Sequence, residues 1–175
     1  MEKSLALMQH LDLPYFKVED CYFQGDEVDA KNESQQWFEK MDKPFNNEDF
    51  LEWCNENCLP VEEDYTDIDD DYLVCTDEEA DEKAAEYIKE SVWAFNAWFI
   101  IDHSNLPYEA IEMIKHFQST KCEDANETIL ALIDDFDDFV SDAISADGRG
   151  RFLSFYDGEE NEETVNGETY YIYRN

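Results

Sequence analysis

The side chains whose number and spacing suggest chemistry in this sequence are carboxylates. Between Glu123 and Ser145 the apolar residues Ile129, Leu132, Ile133, Phe136, Phe139, Val140, Ala143 and Ile144 recur at helical spacing. Glu123, Asp124, Glu127, Asp134, Asp135, Asp138 and Asp142 fall on the opposite arc, with Asp137 at its boundary. Read as a single long helix rising about 1.5 Å per residue, the segment carries an acidic row roughly 30 Å long. Neighbouring charges three or four residues apart would stand about 5–6 Å from one another, on the scale of phosphates along a nucleic-acid strand. The chemistry open to such a row is ion pairing with a cationic surface. Asp is a mediocre helix former, so propensity does not account for Asp in place of Glu, whereas a short side chain holds its charge close to the backbone in a fixed array.

A second acidic run, Val61 to Asp71, reads as a solvated linker that could extend the row through Asp69, Asp70 and Asp71. It also admits a sharper reading. Asp67, Asp69, Asp71, Val74 and Glu78 fall at the offsets of a calcium-binding loop, where carboxylate oxygens wrap a hard cation. Tyr72 stands where that loop's sharp turn wants Gly, and Pro60 leaves little room for an incoming helix. Calcium held by Asp67, Asp69, Asp71 and Glu78 is therefore an alternative to the expectation of no cofactor. Cys54 and Cys58, four apart, could share a helix face, but a structural zinc needs two further ligands and the neighbouring sequence supplies none. His103 and His116 sit in no motif and are expected to be hydrogen-bonded or exposed.

The sequence has no Gly-rich phosphate loop, nucleophile elbow, zinc-protease signature or CxxC pair. Its carboxylates could supply an acid and a base, but nothing in the spacing selects a pair, so no catalytic residue is assigned. Binding is favoured over reaction. With 46 acidic residues against 12 Lys and Arg, the chain carries a formal net charge of −34. Phosphate-bearing partners and anionic membranes would be repelled, and a basic protein surface attracted.

These acids need elements to position them. A length of 175 residues with many aromatics suits one domain with a sizeable core. The expected class is α+β, predominantly helical, with a small C-terminal antiparallel hairpin or three-stranded sheet. Its divisions are a short-helix N-terminal part (1–60), an acidic linker (61–75), a helical core (76–146) and a β tail (147–175). Ser4 to His10, Ser34 to Met41 and Glu48 to Asn57 read as short helices, with Trp37, Phe38, Phe50, Leu51 and Trp53 as core anchors. Tyr15 to Phe23 could be extended, and Gly25-Asp26 suggests a turn.

Thr76 to Ile101 reads as the central helix, opened by a Thr76–Glu79 capping box. Ala80, Ala84, Tyr87, Ile88, Phe95 and Trp98 share one face, and from Ser91 on apolar residues surround the axis, so the second half should be covered on nearly all sides. Pro107 should open a helix reaching about Phe117, striped by Ile111, Ile114 and Phe117. In the tail, RFLSFYDG and TYYIYRN have strand composition, Asn166-Gly167 is a hairpin turn signal, and Arg149, Arg151 and Arg174 should neutralise nearby acids.

The tail DGRGRFLSFYDGEENE…YYIYRN resembles the closing segment of small acidic proteins of bacteriophages and mobile elements, and YLVCTDEEADEKAAEYIKESVWAF resembles their middle. The resemblance covers about the last hundred residues. It implies a mobile-element context and brings no catalytic assignment. The charge pattern is separately similar to that of antirestriction and anti-CRISPR DNA mimics, which implies inhibition of a nucleic-acid-binding protein through its basic surface, without direct contact with nucleic acid or membrane.

The N-terminus shows no signal-peptide pattern, and no segment approaches the roughly 18 apolar residues of a membrane span. Five cysteines lack a disulfide-framework spacing, as expected of reduced thiols in the cytoplasm.

Overall fold

The structure, a computed structural model, describes residues 1–41, 47–61 and 71–175. It is α+β and predominantly helical, with two small antiparallel sheets. The chain groups into two compact units, one from Met1–Val74 with Glu162–Ile172, the other from Cys75–Asn161 with Tyr173–Asn175.

The first unit begins with α1 (Glu2–His10), then a hairpin of β1 (Tyr15–Val18) and β2 (Cys21–Gln24), α2 (Glu27–Lys40) and α3 (Asn47–Asn57). β1 and β2 pair antiparallel from Tyr15 opposite Gln24 to Val18 opposite Cys21. The turn between them places Glu19 in the left-handed region, at φ 53°. Helix α2 starts well before the expected Ser34. Asp26 caps it by accepting from the amides of Val28 and Asp29, and Ala30, Ser34 and Phe38 form its buried stripe. Phe38, Phe50 and Trp53 are buried as anticipated and pack with Phe16, Val18 and Phe23. Trp37 is exposed instead, because it lies one position off that stripe.

Two further strands, β4 (Asn161–Val165) and β5 (Glu168–Arg174), form the tail hairpin, and β3 (Tyr72–Cys75) completes a sheet of order β3-β5-β4. Asn166 and Gly167 both have positive φ, 54° and 91°, as a two-residue turn between twisted strands requires. Val74, Val165, Tyr170 and Ile172 pack with Leu5, Leu7, Met8 and Val61 in a second core cluster. Tyr170 donates its hydroxyl to Glu2, tying α1 to the hairpin.

The second unit carries α4 (Asp77–Ser91), α5 (Ala97–Asp102), α6 (Ile111–Lys121), α7 (Asn126–Leu130), α8 (Phe136–Asp147) and α9 (Gly150–Leu153). The capping box of α4 is present in both directions: Glu79 N–H donates to the Thr76 hydroxyl, and Thr76 N–H to the Glu79 carboxylate. Ala80, Ala84 and Ile88 are buried along it.

The single central helix through Ile101 is not formed. The chain leaves α4 after Ser91, makes a 3-10 turn over Val92–Ala94 and restarts at Asn96, whose side chain accepts from the Trp98 amide. Trp98 accordingly ends half exposed, not in the core. The break is stable because side chains take over the backbone partners that a helix would have supplied. Asn126 accepts from the Trp93 amide and donates to the Lys89 carbonyl, while Gln118 donates to the carbonyls of both Trp93 and Phe95.

The long helix expected over Glu123 to Ser145 is also divided, into a 3-10 turn over Cys122–Ala125, then α7, a turn, and α8. Its apolar residues still face inward: Ile129, Phe139 and Ala143 are buried, and Phe139 meets the rings of Phe95, Phe99 and Phe136. Pro107 precedes a 3-10 turn rather than opening α6, whose buried residues are Ile111 and Ile114. The RFLSFYDG segment is likewise not a strand, since Gly150–Leu153 is a helical turn. A Cβ on Gly150 would collide with the backbone of Gly158 and Glu159, so a side chain there would push the two segments apart.

Asn126→Ala removes two of the four side-chain hydrogen bonds that hold the α4–α5 break, and the expected loss is about 1–3 kcal/mol of unfolding free energy. Urea denaturation should show a lower midpoint at an unchanged slope.

Candidate functional site

Three groups of carboxylates stand out within the second unit, each positioned by a different local device. The first surrounds Arg149. Its Nη1 donates to Asp77 Oδ1 at 2.7 Å, to the Asp77 carbonyl at 3.2 Å and to Asp81 Oδ1 at 3.1 Å, while Nε and Nη2 fork onto Glu160 at 2.8 and 3.2 Å. The guanidinium is largely buried, yet its pKa is raised: burial opposes the charge, and the hydrogen bonds that it donates to Glu160 and Asp77 outweigh it. Tyr173 donates to Glu160 at 2.5 Å; burial first, then that carboxylate, pushes its phenol up. This group is structural, as expected for an arginine neutralising acids. Arg174 lies 3.9 Å over the ring of Tyr156. Arg151 is exposed beside an aromatic cleft of about 500 Å³ that includes Tyr87, Phe95, Phe99, Phe152 and Phe155.

The second group is a row on α4 that the sequence reading passed over. Glu79, Glu82, Glu86 and Glu90 follow spacings of three, four and four residues, which places them on one stripe, and they line an open groove with Glu127 of α7. Lys83 and Lys89 also line it, so five carboxylates face two ammonium groups. The stripe spans roughly 16 Å at the helical rise. Its signal was present in the sequence, since Glu82 and Glu86 stand opposite the apolar face.

The third group gathers at the start of α8. Asp135 caps the helix by accepting from the amides of Asp137 and Asp138, each at 3.1 Å. Asp134 lies outside the helix and accepts from Asn105 Nδ2 at 2.6 Å, while its own amide donates to the His103 carbonyl at 3.0 Å. Asp142 Oδ2 stands 3.2 Å from His103 Nε2, and Asp138 offers an oxygen to the same place.

Of the expected surface residues, Glu123, Asp124, Glu127, Asp134, Asp135, Asp138 and Asp142 are all exposed. They do not share one helical arc. The structure brings Asp138 and Asp142 together and sends Glu127 to the α4 groove, because the turn before α8 reorients the row. Asp71 is exposed, whereas Asp69 and Asp70 lie outside the described residues. The calcium-loop reading falls partly there too: Asp67 and Asp69 are not described, Val74 belongs to β3, and Glu78 lies in the first turn of α4. Cys54 and Cys58 are free thiols, and burial is the main force raising both, Cys54 to about 12. Among the described residues no helix is long and apolar enough to cross a membrane.

The fold and these groups define a class, an α+β chain, mostly helical, that presents carboxylates on short capped elements. No protein family, curated protein or solved structure matches the chain.

Two outcomes follow. Arg149→Met leaves Glu160 with the Tyr173 hydroxyl alone and releases Asp77 and Asp81; the expected destabilisation is about 1–3 kcal/mol, under the value for a broken buried pair because all three carboxylates reach solvent. Calorimetric melting would measure it. Asp157 is held below the usual carboxylate range by hydrogen bonds from the Ser154 hydroxyl and the Glu159 amide. A folded pKa below the unfolded one gives stability that is present above the unfolded value and lost as pH falls through the folded value. Asp157→Asn should therefore flatten the acid limb of the stability curve below about pH 4.

Proposed function

We propose that this protein is an acidic binding protein that presents carboxylates as surrogate phosphates and inhibits a nucleic-acid-binding protein by occupying its basic surface. The single observation that carries the reading is the α4 stripe with Glu127: carboxylates at helical spacing along one wall of an open groove, on a helix fixed at its start by a capping box and along its length by a buried face. Glu82, Glu86 and Glu90 accept no hydrogen bond and join no ion pair among the described residues, so their charge is available to a partner. Lys and Arg side chains meant for phosphates are a chemical match for such an array. Asp134, Asp135, Asp138 and Asp142 add a second group of exposed carboxylates at the start of α8.

The resemblance to acidic proteins of phages and mobile elements supports a role in counter-defence, against a restriction or CRISPR effector. The target would then be met in the cytoplasm, a setting in keeping with five cysteines that form no disulfide. A second reading, an acidic adaptor, is favoured by the exposed rings of Phe155, Tyr156, Trp98 and Tyr108.

The test begins with recovery of the partner by a tagged copy in host cells, followed by competition against duplex DNA. The expected partner loses its DNA binding, and the complex weakens steeply with salt. In the triple variant Glu82→Gln, Glu86→Gln, Glu90→Gln the association rate should fall by about tenfold or more with little change in folding. A salt-insensitive complex, or a partner whose DNA binding is untouched, overturns the reading. Loss of binding through a faster off-rate on Phe155→Ala and Tyr156→Ala would favour the adaptor.

A further inference from the structure

His103 is the C-cap of α5, and its side chain is only 10% exposed. Nδ1 lies 2.9 Å from the Phe99 carbonyl oxygen. A carbonyl can only accept, so the ring proton of a neutral imidazole must sit on Nδ1. Nε2 then carries a lone pair, and it points at a second acceptor, Asp142 Oδ2, 3.2 Å away. Two lone pairs cannot share that line without a cation between or beside them. Asp138, one turn before Asp142 on α8, brings a third donor atom, and all three lie within 4.8 Å of one another. The ring cannot swing clear, because it packs on Phe99 at 4.5 Å and edge-on to Phe139 at 5.2 Å.

We infer that His103 Nε2, Asp138 and Asp142 form a site for a divalent ion of the zinc class. Bonds of about 2.0–2.1 Å at a tetrahedral angle put two zinc ligands roughly 3.3 Å apart, which is the separation that Nε2 and Asp142 already have. One nitrogen and two carboxylate oxygens make three protein ligands and leave a fourth position for water, the ligand count of an open zinc site. The Nδ1–H bond to a backbone carbonyl is the support that orients a ligating histidine and fixes its tautomer. The rival cation is a proton: a doubly protonated His103 in a simple ion pair with Asp142.

The two cations separate in a nitrogen-detected titration of the full-length protein with zinc chloride at neutral pH. The chain has three histidines, so each ring is resolved, and the ring signals of His103 are blind to zinc taken by the exposed thiols Cys21 and Cys122. The expected result is that one equivalent of zinc moves His103 Nε2, leaving Nδ1 protonated and His10 and His116 in place. Asp138→Asn with Asp142→Asn, both at exposed positions outside the core, should weaken this by more than about tenfold, the lower end of what loss of even a supporting contact costs. Glu86→Gln should not weaken it. Zinc binding should also fade on acidification, since the ligand must be the neutral ring. An unmoved His103 at tenfold excess zinc, an imidazolium already doubly protonated at neutral pH and indifferent to zinc, or an unchanged double variant would each overturn the site.

Discussion

The charge arrangement of the second unit depends on one buried cation. Arg149 sits between two glycines, and each has a definite task. Gly148, at φ 77°, turns the chain out of α8, and Gly150 lets the Gly158–Glu160 backbone approach more closely than any side chain would permit. That approach puts Glu160 within reach of the guanidinium fork, while Nη1 reaches back to Asp77 and Asp81 at the start of α4. A lysine, with one compact ammonium, could not satisfy carboxylates in two directions at fixed angles. In a chain of net charge −34, drawing acids from separate segments onto one cation lets those segments come together.

Much of the architecture was legible because local signals and packing agreed. The capping box at Thr76, the Asn166-Gly167 turn, the burial of Ala80, Ala84 and Ile88, and the α+β class all come from short-range chemistry that the tertiary structure leaves in force. The two long helices that periodicity predicts are each divided, for a shared reason. Hydrophobic periodicity runs on through Ser91–Asn96 and through Ala131–Asp135, but it reports which side of the chain faces the core, and a turn that keeps the same side inward leaves the pattern intact. What breaks the helices is polar: Asn96 and Asp135 cap new starts, and Asn126 and Gln118 reach across more than twenty residues to satisfy the opened backbone. The caps were visible in the sequence as residue types. The long-range partners were not, since nothing local marks Gln118 as facing Phe95.

The candidate site was legible to the same extent. Exposure of the named acids follows from their polarity, but their grouping follows from the turns. Asp138 and Asp142 stayed neighbours because four residues of one helix separate them, whereas Asp134 and Glu127 were separated from that row by the turn before α8 and by the end of α7. The clustering of His103 with them could not be read at all. It depends on the α5 C-terminus meeting α8, a contact made through Phe99 and Phe139, which periodicity places in the core without saying which ring meets which.

The two acid types also divide the work between them. Asp26, Asp135 and Asp157 each accept from backbone amides within three residues, a task for which a short side chain is suited and a longer one is not. A share of the Asp content is thus accounted for by capping and turn formation, without appeal to a partner. The Glu stripe of α4 has no such account beyond Glu79: like charges three and four apart on one helix cost a few tenths of a kcal/mol per pair, and Glu82, Glu86 and Glu90 accept no hydrogen bond among the described residues. Lys83 and Lys89 offset part of that repulsion, yet carboxylates remain in excess along the groove. Glu82, Glu86 and Glu90 are thus carboxylates that the described structure leaves to solvent, whereas many of the Asp residues are occupied in caps and turns, and that difference is why the proposed anionic surface rests on α4 more than on the denser Asp run.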